Sequence, residues 1–337
     1  MSRLRVGVIG AGAWGQNHVR TLAGLAETEL AGVCDLNPKV RERVARQHPS
    51  AFVTDSVPAL LERVEAVVIA STARTHAELG LAAVAAGVPA LIEKPFALTV
   101  PDAERLAEEA DRRRVPLLAG HLLEYHPVVE YLRGLITGGR FGNVYYLYSQ
   151  RVNLGQVRPD ENALWSFGPH DISVALFLLG DSPRTVAAQG HSYLQPGIED
   201  VVFLTMTFGS GIVAHAQLSW LDPHKERRLT VVGERQMAVF DDMQPREKLR
   251  IYDKGVDRPE YRSYGESLAV REGDIFIPRI SNAEPLAVQL RHFVQVVRGE
   301  VPARADARDG VRVVRVLDAA SRSLAQGGAP VHLEEIS

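Results

Sequence analysis

Apolar residues in the first third of the chain come in short solid runs, each followed by a stretch where they recur every three or four positions. The runs fall at 4–9, 29–34, 64–70, 88–92 and 115–119, and the periodic stretches at 14–25, 38–47, 75–86 and 101–113. Strands apolar on both faces that alternate with amphipathic helices specify a parallel sheet covered on both sides. Residues 1–121 are therefore expected to form a doubly wound α/β domain.

The rhythm changes in residues 122–337. A helix at 127–136 leads into a strand at 144–152 that alternates polar and apolar positions. A helix at 170–179 precedes strands at 184–191, 200–208 and 212–219, the last two joined by a tight turn at Phe208-Gly209-Ser210-Gly211. A further strand pair is expected at 227–232 and 236–240. Residues 244–280 are charged and without a strong period, so they are expected to be loop and edge strand. Helices at 285–298 and 308–324 end the chain. The second domain is thus expected to be α+β, with an open and mainly antiparallel sheet.

Composition narrows the function classes. The 337 residues are 46% hydrophobic and 23% charged, as in a globular protein, and the net charge of -3 carries no basic nucleic-acid footprint. The one basic run, Arg112-Arg113-Arg114, is expected at a helix C-terminus. A single cysteine, Cys34, rules out an intrachain disulfide and any cysteine-based metal cluster, and no metal is expected. No apolar run reaches the roughly 20 residues of a membrane span, and the run at 6–9 is too short for a signal peptide. The cytoplasm is the expected compartment, with neither nucleic acid nor membrane as a partner.

The chemistry begins at Gly10-Ala11-Gly12-Ala13-Trp14-Gly15, which leaves one strand and opens a helix. In this context the motif marks a Rossmann dinucleotide-binding domain. Gly10 permits the turn, Gly12 lets the backbone approach a pyrophosphate, and Gly15 allows close packing. The helix N-terminus offers N–H groups and a positive dipole end to the phosphates. Asp35, 20 residues after Gly15, ends the second strand. There it would accept the ribose hydroxyls and repel a 2′-phosphate, which selects NAD over NADP; capping the next helix is its alternative role.

Two more strand ends carry candidate residues. Ser71 and Thr72 close the run at 64–70 on the carboxyl edge of the sheet, where they would line the nicotinamide side. His76 follows, either as cofactor contact or as structural support. Glu93-Lys94-Pro95 closes the next run. A lysine held there in a partly desolvated cleft can move a proton, although a solvated strand-end lysine fits the spacing equally. His121, after the last strand, is a further candidate to border the nicotinamide.

The Gly10–Gly15 motif, Ser71-Thr72, Thr75-His76 and Glu93-Lys94-Pro95 together resemble the glucose-fructose oxidoreductase / inositol dehydrogenase / MocA family. The resemblance implies an NAD(P)-dependent oxidoreductase acting on a sugar or polyol hydroxyl, with Glu93 and Lys94 at the nicotinamide–substrate junction. It also implies a histidine acid/base in an Asp-x-Gly-x-His arrangement. Here that stretch is Ser166-Phe167-Gly168-Pro169-His170-Asp171, so His170 fits and the acid is replaced by Ser166. Ser166 keeps a hydrogen-bonding group without the charge. Asp171 is expected to be a structural acid in the first turn of a helix.

The wider string at 161–173 resembles the branch that oxidises C3 of UDP-N-acetylhexosamines. That resemblance implies a sugar or nucleotide-sugar substrate, lined by Tyr125, Arg151, Asn162, Trp165, Ser166, Lys94 and His170. His126 and Asn153 are further cleft candidates. An Arg on a cleft-facing strand suits a phosphate or carboxylate, and a surface strand charge is the equal alternative for Arg151. A free-sugar or inositol dehydrogenase and a non-catalytic dinucleotide-binding regulator are the competing functions. By analogy with the family, the chain would form a homodimer or homotetramer.

Overall fold

The computed structural model describes residues 2–155, 157–159, 161–257 and 269–333. The chain divides into two compact units, Met1–His126 with Ala283–Arg315 and Pro127–Asn282 with Val316–Ser337. The single cut expected between residues 121 and 122 is thus corrected. A late segment returns to the first unit because its apolar face completes that unit's core.

The first unit opens with β1 (Leu4–Ile9), α1 (Gly15–Gly24), β2 (Thr28–Cys34), α2 (Pro38–Gln47), β3 (Phe52–Thr54) and α3 (Val57–Leu61). It continues with β4 (Ala66–Ile69), α4 (His76–Ala85), β5 (Ala90–Ile92), α5 (Val100–Arg113) and β6 (Leu117–Ala119). The six strands pair in parallel in the order β3-β2-β1-β4-β5-β6, the doubly wound Rossmann arrangement. The order reverses between β1 and β4, so the carboxyl ends of these two strands flank the crevice where such sheets bind ligands. Helix starts are fixed by short polar side chains: Asn37 caps α2, Ser56 caps α3 and Thr99 caps α5, each followed by a proline in the first turn. Arg114 ends α5 in the left-handed conformation, and Arg112 and Arg113 both bind Glu109, so the basic run closes a helix.

The second unit contains α6 (Pro127–Thr137), β7 (Val144–Val152), α7 (Ala163–Leu179), β8 (Pro183–His191), β9 (Val201–Phe208) and β10 (Val213–Ser219). Next come β11 (Glu226–Gly233), β12 (Met237–Asp241), β13 (Leu249–Asp257) and β14 (Ala269–Phe276). The nine-stranded sheet runs β14-β13-β12-β11-β7-β10-β9-β8 and ends on the last strand, β15 (Val331–His332). Every pair is antiparallel except β7 with β10. Two elements correct the expectation. α7 begins at Ala163, seven residues before His170, because Asn162 caps it and Pro169 is accommodated inside it. β13 and β14 pair antiparallel at the sheet edge where loop was also expected; β14 is largely exposed and charged, and only Leu249 and Ile251 of β13 alternate into the core.

α8 (Pro285–Val297) and the first part of α9 (Ala307–Ala325) belong to the first unit, the division falling after Arg315. Leu286, Leu290, Phe293, Val294 and Val296 join one core with Val6, Val8, Leu22, Val68, Leu91 and Leu118. Asp306 bridges to Leu118, and Ala119 donates its N–H to the Ala305 carbonyl, which pairs the open side of β6. No helix among the described residues is long and apolar enough to cross a membrane.

Candidate active site

The Gly-rich turn has three glycines with three different surroundings. Gly10 adopts φ +85, and a Cβ there would lie 2.7 Å from the Ser71 backbone. At Gly15 a Cβ would stand 1.9 Å from the Gly10 carbonyl oxygen, so this glycine lets the turn fold onto itself as much as onto the sheet. Gly12 faces nothing within 4 Å. That is the side a ligand backbone could approach. Ala13 and Trp14 are exposed beside it, and α1 starts with neither a side-chain cap nor an acid in its first turn. Its leading N–H groups and positive dipole end therefore remain suited to a pyrophosphate.

Asp35 follows β2 and reaches back to this turn. Its Oδ2 accepts the Ala11 N–H at 2.8 Å and its Oδ1 accepts the Asn37 N–H at 2.8 Å. The helix cap is Asn37, so capping does not account for Asp35. Two N–H partners leave lone pairs on the carboxylate for ribose hydroxyls. Beside it, burial and then the charges of Asp35 and Asp55 push the Cys34 thiol up to about 11.

At the carboxyl edge of β4, the Ser71 hydroxyl meets the Thr75 hydroxyl at 2.8 Å, while Thr72 is exposed. His76 takes the second of its two expected roles. It is 1% exposed, with Nδ1 2.8 Å from the Pro95 carbonyl and Nε2 3.2 Å from that of Ser71. The neutral ring has one N–H to donate, to the Pro95 or the Ser71 carbonyl, and either bond ties His76 to the ends of β4 and β5 as structural support. Burial holds its pKa below the ordinary value.

Glu93 also differs from what the resemblance implied. It is 6% exposed and turned inward. Its Oε1 accepts the Trp14 indole N–H at 2.7 Å and lies 2.7 Å from His18 Nε2, while Oε2 accepts the Lys94 N–H at 3.1 Å. Burial alone would raise its pKa, but the His18 ring, the Trp14 indole and the Lys94 amide outweigh it and hold the carboxyl below its usual range. Glu93 is a clamp between the Gly-rich turn, α1 and the end of β5. His18, which the sequence pattern did not single out, is four residues beyond Trp14 on one face of the helix, and that spacing was its only signal. Lys94 is half-buried and joined to Pro95 by a cis peptide bond.

Beyond β6, His121 Nδ1 lies 3.3 Å from Glu124 Oε1, both buried; burial, against the pull of His121, pushes the Glu124 carboxyl up. Tyr125 corrects an expectation. It is 1% exposed, donates its hydroxyl to the Arg304 carbonyl and packs under the Arg304 guanidinium, so it anchors the core and lines no cleft.

The second unit places its candidates on and around α7. Asn162 accepts the Trp165 N–H at 3.0 Å and donates to Glu199 at 2.6 Å, which makes it a helix cap where a substrate contact was expected. Trp165 donates its indole N–H to Ser321, and Ser166 is buried. Pro169 has no N–H to offer the Trp165 carbonyl, so α7 continues through it with one internal hydrogen bond missing, one residue before His170. His170 is half-buried in mid-helix. Asp171 is no first-turn acid: its Oδ2 receives Arg151 Nε at 2.6 Å. The expected Arg151 anchor is therefore already engaged by one carboxylate.

Known proteins match both units. Residues 4–121 match a family model described as an oxidoreductase family with an NAD-binding Rossmann fold, and residues 129–239 match the GFO/IDH/MocA C-terminal domain. The chain is 31% identical over 320 residues to UDP-N-acetylglucosamine 3-dehydrogenase of Acidithiobacillus ferrooxidans, across 93% of this chain and 95% of that one. It is also 31% identical over 224 residues to inositol 2-dehydrogenase 2 of Saccharopolyspora erythraea, across 64% and 66%. The solved structure of the Acidithiobacillus ferrooxidans enzyme superposes with TM-score 0.84 at 28% identity, covering 97% of this chain and 99% of that one. GenD2 from gentamicin A biosynthesis, solved with NAD, has the same fold at TM-score 0.83 and 24% identity, across 99% and 97%.

Proposed function

Because the chain belongs to the Gfo/Idh/MocA family of oxidoreductases and uses NAD, we propose that it oxidises C3 of a UDP-N-acetylhexosamine, or of its uronic acid, to the ketone. The observation that carries this reading is the match to a UDP-N-acetylglucosamine 3-dehydrogenase over nearly the whole of both chains. The equal identity to an inositol 2-dehydrogenase over a shorter stretch supports a second reading, a free polyol as substrate.

In this proposal the first unit holds the cofactor and the second the sugar. Gly12 and the uncapped start of α1 receive the pyrophosphate, Asp35 the adenosine ribose, and Ser71 and Thr72 the nicotinamide side. NAD bound there supplies the acceptor for the two electrons and the hydrogen that leave the carbon. His170 takes the hydroxyl proton as an imidazole base, and Lys94 donates a hydrogen bond to the same oxygen. Ser166 stands where the family has an acid, so proton uptake falls to His170 without a carboxylate there. The assembly is proposed as a cytoplasmic homodimer or homotetramer. Exposed aromatic side chains on one sheet face, Tyr146 stacked on Tyr148 and Phe203 on His215, support self-association.

The test is the rise in absorbance at 340 nm with NAD and a panel of UDP-sugars, free sugars and inositol. Lys94→Ala and His170→Ala should each lower kcat by about 10²-fold or more while NADH still binds. Reduction with inositol and none with UDP-N-acetylglucosamine would favour the polyol reading. NADH binding without turnover on any substrate would leave a regulator.

A further inference from the structure

We propose that Arg151 and Arg227 form an oxyanion subsite on the α7 side of the second unit's sheet, taking a carboxylate or phosphate group of the substrate. This rests on the reading that the His170 side of that unit receives the sugar.

The argument begins with register. β7 and β11 are antiparallel, and Arg227 stands directly opposite Arg151. Opposite residues in such a pair bring their Cβ atoms to about 5 Å, and like charges there destabilise a sheet. Both arginines lie on the face that α7 covers: Arg151 reaches Asp171 of α7, and its parallel neighbour on β10, Leu218, packs against Gly168 of the same helix. Two guanidiniums are thus held side by side near the His170 turn.

The two are not equally compensated. Arg151 has its Nε on Asp171, and both side chains are largely buried. Among the described residues, Arg227 makes no side-chain hydrogen bond and no ion pair. The charges acting on it are Arg151 against it and Asp242 and Asp171 for it. Asp242 already holds the Lys248 ammonium at 2.5 Å. Three cations therefore share two carboxylates, and the uncompensated one is the exposed Arg227. A sheet that keeps this arrangement bears a like-charge cost that an incoming anion removes. Guanidinium forks suit that anion, because planar carboxylate and phosphate oxygens accept two parallel N–H bonds. Asp171 fixes Arg151 by Nε, so the position of the pair is set before a ligand arrives. Asp171 directly follows His170 on α7, so the residue that holds Arg151 and the proposed base are neighbours in one helix.

The test is equilibrium binding of UDP and of D-glucuronate to the NADH-loaded full chain, for wild type, Arg227→Gln and Arg227→Lys. Arg227→Gln should weaken one or both probes about tenfold or more, and Arg227→Lys should recover part of the loss. NADH affinity should stay unchanged in Arg227→Gln and the thermal midpoint should not fall, because Arg227 has no protein partner to lose and its charge opposes that of Arg151. A loss with UDP alone assigns the subsite to phosphate, and a loss with glucuronate alone assigns it to carboxylate. Wild-type affinity for both probes in Arg227→Gln overturns the proposal, as does failure of the wild type to bind either one. Failure of the sugar-oxidation reading is separate, since it shows as no NAD reduction even where probe binding responds to Arg227.

Discussion

Glu93 and His18 meet at 2.7 Å in the interior of the first unit, their side chains 7% and 0% exposed. The pair joins α1, which starts at the Gly-rich turn, to the end of β5, which carries Lys94. With Trp14 on the same oxygen, the carboxylate holds the cofactor turn and the strand bearing a proposed catalytic residue in one fixed relation.

Replacing Glu93 by Gln should break this clamp while changing few atoms. The amide keeps one acceptor oxygen for two donors and sets an N–H against the Lys94 amide. Loss of hydrogen bonds to a buried charge costs about 2 kcal/mol, or roughly 4–8 °C in the midpoint of a unit this size. Thermal unfolding and NADH titration of Glu93→Gln measure the effect. Wild-type values in both would show that the clamp is dispensable.

The three glycines should respond differently to one added methyl group. Gly15→Ala forces a Cβ against the Gly10 carbonyl, and the first unit should unfold or rearrange. Gly12→Ala meets no protein atom, so the variant should keep its wild-type melting temperature yet lose NADH affinity by about tenfold or more. Unimpaired NADH binding by Gly12→Ala would count against pyrophosphate docking at this turn.

His76 gives a pH dependence with a definite sign. Its folded-state pKa lies below 6.5, because burial disfavours the charged ring. Above pH 6.5 neither state holds the extra proton, and the contribution to stability is fully present. As pH falls from 6.5 toward the lower folded value, the unfolded chain binds a proton that the folded chain resists, and stability is lost. The melting temperature should therefore fall more steeply between pH 7 and 5 in wild type than in His76→Gln. Parallel profiles for the two proteins would rule this out.

Asp35→Ser should relax the cofactor choice. Removing the carboxylate takes away both a ribose acceptor and the charge that repels a 2′-phosphate. The NAD-to-NADP ratio of kcat/KM should narrow by about 10- to 100-fold, equivalent to roughly 1.4–2.8 kcal/mol. Steady-state kinetics with both cofactors decide it, and an unchanged ratio would place the discrimination elsewhere.

The Rossmann unit was legible because each of its long elements has a complete signal. Leu4–Ile9 is apolar throughout, and Asn37-Pro38 announces a helix in two residues. β3 and α3 were missed because three and five residues hold no period. α7 starts earlier than its pattern suggests because Pro169 resembles a first-turn proline, and an Asn that caps a helix is the same in sequence as one that meets a ligand. Tyr125 and His76 are ambiguous in sequence for a related reason. A polar aromatic next to a site motif is the same in sequence whether it faces a cleft or bonds a backbone carbonyl. Only the partners, Arg304 for Tyr125 and Ser71 and Pro95 for His76, separate the two cases.

The late segment that completes the first unit has a consequence for synthesis. Leu290 and Phe293 are fully buried with residues from β1, α1 and β4, yet they leave the ribosome after the whole second unit's sheet except its last strand. Until they emerge, residues 1–126 lack part of their core. The cofactor domain, first to be made, is among the last to close, and a fragment ending near residue 121 would carry an open apolar wound in place of a finished dinucleotide fold.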